Sequence, residues 1–134
     1  MIKKYVLGFL FNDEKTKICL IQKNRPDWQR GKLNGVGGKI GDMCKSELPD
    51  DAMIREFREE TGVSTQHHDW KLFTILDAND LSWKCYCFYC FNSEYLNSVK
   101  TMTDEQIIIK NIDSVSESEF VDTKILSIIK KNIF

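Results

Sequence analysis

Between Gly37 and Val63 the chain reads GGKIGDMCKSELPDDAMIREFREETGV, which spaces Glu56, Glu59 and Glu60 three and four positions apart. At 3.6 residues per turn, such positions share roughly 100° of a helix surface. Ile54, Phe57 and Thr61 fall on a different side and can face a core. The segment is thereby constrained to a helix that buries one face and gathers three carboxylates on another. Like charges at this spacing destabilise an isolated helix by roughly 0.2–0.5 kcal/mol per pair. Arg55 and Arg58 relieve only part of that repulsion.

A hard divalent cation relieves it better. Mg²⁺ takes oxygen ligands, keeps several waters, and is commonly held between a few carboxylates and the phosphates of a substrate. The cluster therefore points to phosphate chemistry, with Mg²⁺ as the expected ion and Mn²⁺ as a substitute. The helix is expected to start near Glu47 or Leu48, since Pro49 suits a first turn and Asp50 and Asp51 suit a positive helix end. Gly62 is placed to stop it.

The remaining elements follow from periodicity. Tyr5 to Asn12 and Lys17 to Lys23 read as strands of a hairpin around the polar turn Asp13, Glu14, Lys15. Asn24 to Gly38, with Pro26 and four glycines, reads as a loop that brings backbone close to a ligand. Trp70 to Leu76, Trp83 to Phe91 and Ile107 to Ile112 read as further strands. Ser116 to Phe134 carries Phe120, Ile125, Leu126, Ile128, Ile129 and Ile133 at helical spacing behind a Ser116/Glu119 capping box, so a closing helix is expected there. Helices mixed with strands imply a layered α/β arrangement in one domain, residues 1–134.

Gly41, Glu47, Arg55, Glu56, Phe57, Glu59, Glu60, Gly62 and Val63 fit the pattern GX5EX7REUXEEXGU, where U is a bulky apolar residue. With nine specified positions, the chain resembles a Nudix hydrolase, the box spanning about residues 38–63. The resemblance implies an α/β/α sandwich with a mixed β-sheet, a catalytic helix after a Gly-rich loop, and a C-terminal helix. Two registers are open. Either Gly41 begins the box, or Gly38 of the GGKI tetrad does and the loop before Glu47 is longer, a cheap change in free energy; the second is preferred.

The resemblance also implies hydrolysis of a nucleoside diphosphate linked to a variable group, with metal held by Glu56, Glu59 and Glu60, by the Gly37 carbonyl of the GG turn, and by an acid from a later loop. Glu105 is the expected acid and Asp104 its local alternative. Arg55 is expected to orient the carboxylates with Glu47 as partner. The sequence does not single out a general base among the three helical acids, whose titrations are coupled; Glu59 is the expectation.

For the substrate, Arg30 to Ile40, RGKLNGVGGKI, is similar to a GRWNGFGGKV segment of enzymes in this family that remove oxidised purine nucleoside triphosphates. Asn34 matches a base-contacting Asn there, although Asn before Gly is also an ordinary turn signal. Phe120 and Asp122 stand where those enzymes have an aromatic and an acid, and are read as stacking on and accepting from a base. Thr123 replaces a second acid, and Phe120 also suits core packing. Lys23 is a further candidate contact; Arg25, Trp28 and Lys32 are weaker, and His67 and His68 read as surface residues.

Composition limits the partners. A net charge of -1 gives no general basic field, so a nucleotide is expected rather than a long nucleic acid. Lys3 and Lys4 before YVLGFLF look like a short leader but lack a small-residue cleavage site, and the run is far below the roughly 18 apolar residues of a membrane span. The five cysteines, Cys19, Cys44, Cys85, Cys87 and Cys90, are an odd number and read as small core residues of a reduced, cytoplasmic protein. Cys85 and Cys87 share one strand face while Cys90 points the other way. The sequence leaves monomer or homodimer open. Enzymatic alternatives are hydrolysis of ADP-ribose or another nucleotide-linked diphosphate; RNA decapping ranks low without a basic stripe. A non-hydrolysing nucleotide sensor on the same scaffold has little reason to keep the repulsive cluster.

Overall fold

The seven-residue core of the first strand decides the architecture, because it is apolar on both faces. The structure, a computed structural model, describes residues 2–41 and 46–134. Cys44 and the loop that distinguishes the two glycine registers lie outside them. Strand β1 (Lys3–Phe11) is central in a mixed sheet ordered β3-β2-β1-β6-β5, with β4 added to β1 and β7 to β2. The others are β2 (Lys17–Gln22), β3 (Leu33–Asn34), β4 (Val36–Lys39), β5 (Lys71–Asp77), β6 (Trp83–Phe91) and β7 (Ile107–Asn111). A strand covered on both faces needs a near-continuous apolar run, which YVLGFLF supplies.

β1 and β6 run parallel from Lys3 opposite Trp83 to Phe11 opposite Phe91. The other edge of β1 is shared: Tyr5 to Gly8 pair antiparallel with β4, and Leu10 and Phe11 with β2. Three helices cover the faces: α1 (Pro49–Thr61), α2 (Ser93–Ser98) and α3 (Ile125–Asn132). α1 supplies Ala52, Met53 and Phe57 to one core, with Val6, Leu10, Trp70 and Phe88. α3 supplies Ile125, Leu126 and Ile129 to the opposite core, with Phe9, Phe11, Leu33 and Phe120. The result is the expected α/β/α sandwich. Phe57 packs edge-on against Trp70 with ring centroids 5.1 Å apart, and this contact seats α1 on the sheet.

α1 begins behind an extended Leu48 with Pro49 in its first turn, and ends at Gly62, which takes φ 78° and donates its N–H to the Arg58 carbonyl. Cys87 and Cys90 lie in opposite cores, as strand alternation requires. Among the described residues no helix is long and apolar enough to cross a membrane.

Two expectations need correction. The Gly-rich passage is not all loop, since Gly37 and Gly38 lie inside β4, opposite Leu7 and Val6. The closing helix is shorter than its periodicity: the amide of Ser116 donates to Glu119 Oε2 at 2.7 Å, but this box caps only a 3-10 turn. Phe120 is then extended and bridges Leu33 in parallel, and α3 starts at Ile125. Burial of Phe120 beside a strand and burial along α3 merged into one apparent helical rhythm. Phe120 is 0% exposed, so it offers no ring face to a base and packs the core instead. Truncation tests this: Phe120→Ala is expected to lower the unfolding free energy in urea by about 3–5 kcal/mol, and an unchanged midpoint would place the ring outside the core.

Candidate active site

The carboxylate face of α1 lies over β4, and glycine makes the approach possible. A Cβ added to Gly38 would stand 2.3 Å from Glu56 Oε2, and one on Gly37 would stand 1.9 Å from the Val6 carbonyl oxygen. The Gly37 contact is with rigid backbone, so glycine is required there by the pairing of β4 with β1, whereas Gly38 leaves the space that the Glu56 carboxylate occupies against β4.

Arg55 organises the acids. Its Nε and Nη2 donate to Glu47 Oε2 and Oε1 at 2.7 and 2.9 Å, a two-bond fork. Nη1 donates to Glu56 Oε1 and Glu59 Oε2, both at 3.1 Å. Nη2 also donates to the Lys39 carbonyl at 3.1 Å, so all five guanidinium donors are engaged. Glu47 Oε1 in turn accepts from the Gly41 amide at 2.9 Å. The Glu47 carboxyl is held below its usual range by Arg55, and the guanidinium is held still more firmly protonated by Glu47.

Glu56 behaves differently. Burial pushes its carboxyl up to about 7, with Glu59 and Glu60 adding to the rise against the opposing pull of Arg55. Burial also raises Glu60, against a hydrogen bond from Thr103 and with added repulsion from Glu105. The Glu59 side chain is 46% exposed, against 8% for Glu56, which leaves it the freest of the three to turn.

A second group meets Glu60 from across the site. Glu105 accepts from the Asn24 amide at 2.7 Å and from Lys23 Nζ at 3.0 Å. Burial works to raise its carboxyl, but these donors outweigh burial and the net shift is downward. Asp104, the alternative acid, is instead paired with Arg25 at the surface. Lys23 is engaged with Glu105 through that bond. Asn34 Oδ1 accepts from the Gly35 amide at 2.9 Å, the local turn bond. Val121 donates to the Leu33 carbonyl at 2.9 Å, which lays the segment carrying Asp122 beside Leu33 and Asn34. His67 pairs with Asp51 at the surface, as a solvated residue would.

The sequence reading missed Thr103, Asn24 and the Lys39 carbonyl. Asn24 and Lys39 act through backbone atoms and Thr103 through a single exposed hydroxyl, and none of the three leaves a periodic signal. Among the described residues no three His, Cys, Asp or Glu side chains already converge as a metal-ligating set, and Glu56 and Glu59 are both turned to Arg55. The donor chemistry nevertheless fits a hard cation: it is all oxygen, and Gly38 leaves Glu56 room that a side chain would fill.

The chain is thus a mixed sheet bearing an acidic helix laid over a glycine-paired strand. The family model described as NUDIX domain matches residues 1–127, and the chain belongs to that family, whose members hydrolyse diphosphate-linked, nucleotide-type substrates and generally use a divalent metal. Comparison with curated proteins gives no match. A MutT NUDIX hydrolase from Burkholderia pseudomallei is similar in structure, with TM-score 0.74 and 18% identity over 100% of this chain and 99% of that one. A MutT structure from a study of Aliivibrio salmonicida and Vibrio cholerae has TM-score 0.73 and 20% identity over 98% and 99%. A MutT/nudix family protein from Enterococcus faecalis has TM-score 0.66 and 19% identity over 83% of this chain, which spans 44% of that longer one.

The raised Glu56 carboxyl has a consequence for the metal-free protein. The folded state binds its proton more tightly than the unfolded state, so ionising Glu56 costs stability above about pH 7, and the cost fades as pH falls toward its ordinary value of 4.5. Glu56→Gln, melted in EDTA, is therefore expected to exceed the wild type by about 2 kcal/mol at alkaline pH and to match it in acid. Equal stability at both pH values would show that Glu56 ionises freely.

Proposed function

We propose that the chain hydrolyses a nucleoside triphosphate to a nucleoside monophosphate and pyrophosphate, acting on an oxidised purine deoxynucleotide in nucleotide-pool sanitation. The observation that carries the reading is the acidic face of α1, with Glu56 set against Gly38, Glu56 and Glu59 tied by Arg55, and Glu60 held by Thr103. Mg²⁺, or Mn²⁺ in its place, is the ion proposed. Glu56, Glu59, Glu60, Glu105 and the Gly37 carbonyl are the groups that would hold it. A bound divalent ion supplies neutralisation of the phosphate chain and a lowered pKa for a coordinated water.

The chain's own residues supply the rest. Glu59, exposed and, among the described residues, held only by Arg55, is assigned as the base that takes the proton as a water oxygen bonds to phosphorus and the bridging P–O bond breaks. Glu56 is buried and pinned, and Glu60 is held by Thr103, which suits both to binding more than to proton transfer. Arg55 keeps the carboxylates in place, with Glu47 fixing its plane. Asn34 and Asp122, on neighbouring segments, are assigned to the base edge. Lys23 reaches substrate phosphate by exchanging its bond to Glu105.

A purified-protein panel of normal and oxidised nucleoside triphosphates and ADP-ribose, with product analysis in Mg²⁺ and Mn²⁺, tests the proposal. The expected pattern is monophosphate plus pyrophosphate, fastest with an oxidised purine. Glu59→Gln is expected to lower kcat by about 10²–10⁴-fold with folding intact, and Glu60→Gln to weaken metal dependence. No cleavage of any substrate with either ion would sink the enzymatic reading, and unchanged turnover in both variants would sink the site assignment.

A further inference from the structure

We infer that Thr103 is a positioning residue of this site: its hydroxyl joins Glu60 of α1 to the segment that carries Glu105 and fixes the two acids relative to each other. The inference rests on the assignment of the helical acids to a cation site.

Thr103 Oγ1 accepts from the Glu105 amide at 3.2 Å and donates to Glu60 Oε2 at 3.2 Å, the nearer and charged acceptor, ahead of the Glu105 carbonyl at 3.5 Å. A hydroxyl has one proton to give and lone pairs to accept with, so both bonds form together. The bond to the amide two residues on is, by itself, an ordinary turn. The bond to Glu60 crosses between elements far apart in sequence, and a local turn gives no reason for it. Among the described residues it is the one hydrogen bond the Glu60 carboxylate receives.

The surrounding chain shows why this position matters. Lys100 donates its amide to the Thr61 carbonyl at 3.0 Å and Met102 to the Glu60 carbonyl at 3.3 Å. These bonds satisfy carbonyls that a helix end leaves open, and they lay the segment along the last turn of α1. Beyond Thr103, Glu105 is gripped by Asn24 and Lys23 of the β2 end. Thr103 is thus the side-chain link between a helix-anchored stretch and a strand-anchored acid. Its own side chain is exposed, so its replacement disturbs the fold little.

The test uses Mn²⁺ alone, titrated into the full chain and read by the electron paramagnetic resonance of the free ion. Thr103→Val keeps the branched shape and removes the hydroxyl. It is expected to weaken Mn²⁺ binding about tenfold or more, a typical loss when a ligand's orienting partner is removed, with kcat falling alongside and the melting temperature unchanged. Thr103→Ser, which restores the hydroxyl, is expected to recover wild-type binding. A Val variant that binds Mn²⁺ like the wild type, or a Ser variant that fails to recover, overturns the role of Thr103 and leaves the site reading standing. A wild-type chain that binds no Mn²⁺ overturns both.

Discussion

The Arg55 guanidinium is the constraint on which the site depends. It is 12% exposed at its side chain and meets three carboxylates and one carbonyl with its five donors. A lysine has three donors on a point charge and cannot reproduce a planar fork. Through Lys39 the guanidinium ties α1 to the end of β4, and through Glu47 it ties the helix to the chain entering it. Removing it would leave buried acids facing one another, the costly case for a broken buried pair. Arg55 and the GG strand are complementary: one supplies charge compensation, the other the space in which the carboxylates approach the sheet.

The sheet gives this arrangement a rigid base. β1 is covered on both faces, so α1 and α3 are held by separate cores. The split edge of β1, β4 at one end and β2 at the other, brings the glycine pair and the Lys23–Asn24 corner to the same region. Glu105 enters from β7's approach and is caught at that corner. A site assembled this way draws its acids from an element packed on one face and from the loop preceding an edge strand. That explains why Thr103, between them, has bonds to both.

Much of this was legible in the chain. The i, i+3, i+4 acids, Pro49 and Gly62 specified α1 and its ends, since those signals act within one turn of helix. Strand alternation placed Cys87 and Cys90 on opposite faces. The last segment was not legible in full: Phe120 is buried by pairing beside Leu33, and the sequence pattern cannot distinguish that burial from a place on a helix. Gly37 and Gly38 read as loop residues because glycine usually marks turns, whereas here Gly37 lies close against the backbone of β1 and Gly38 makes room for Glu56 of α1.

The sequence by itself determined the acidic helix, its caps, the two-sided apolar strand and the family to which the chain belongs, because each is written in local periodicity or in a spaced motif. Only the tertiary structure decided which partners the acids have. Whether Glu105 or Asp104 turns inward depends on the Lys23–Asn24 corner, and whether Glu60 has a hydrogen-bond donor depends on a loop folded back onto α1. The elevated Glu56 carboxyl likewise comes from burial against β4 and from neighbouring charges. Desolvation and charge pairing are set by distances in space, and distances between segments far apart in sequence exist only once the chain has folded.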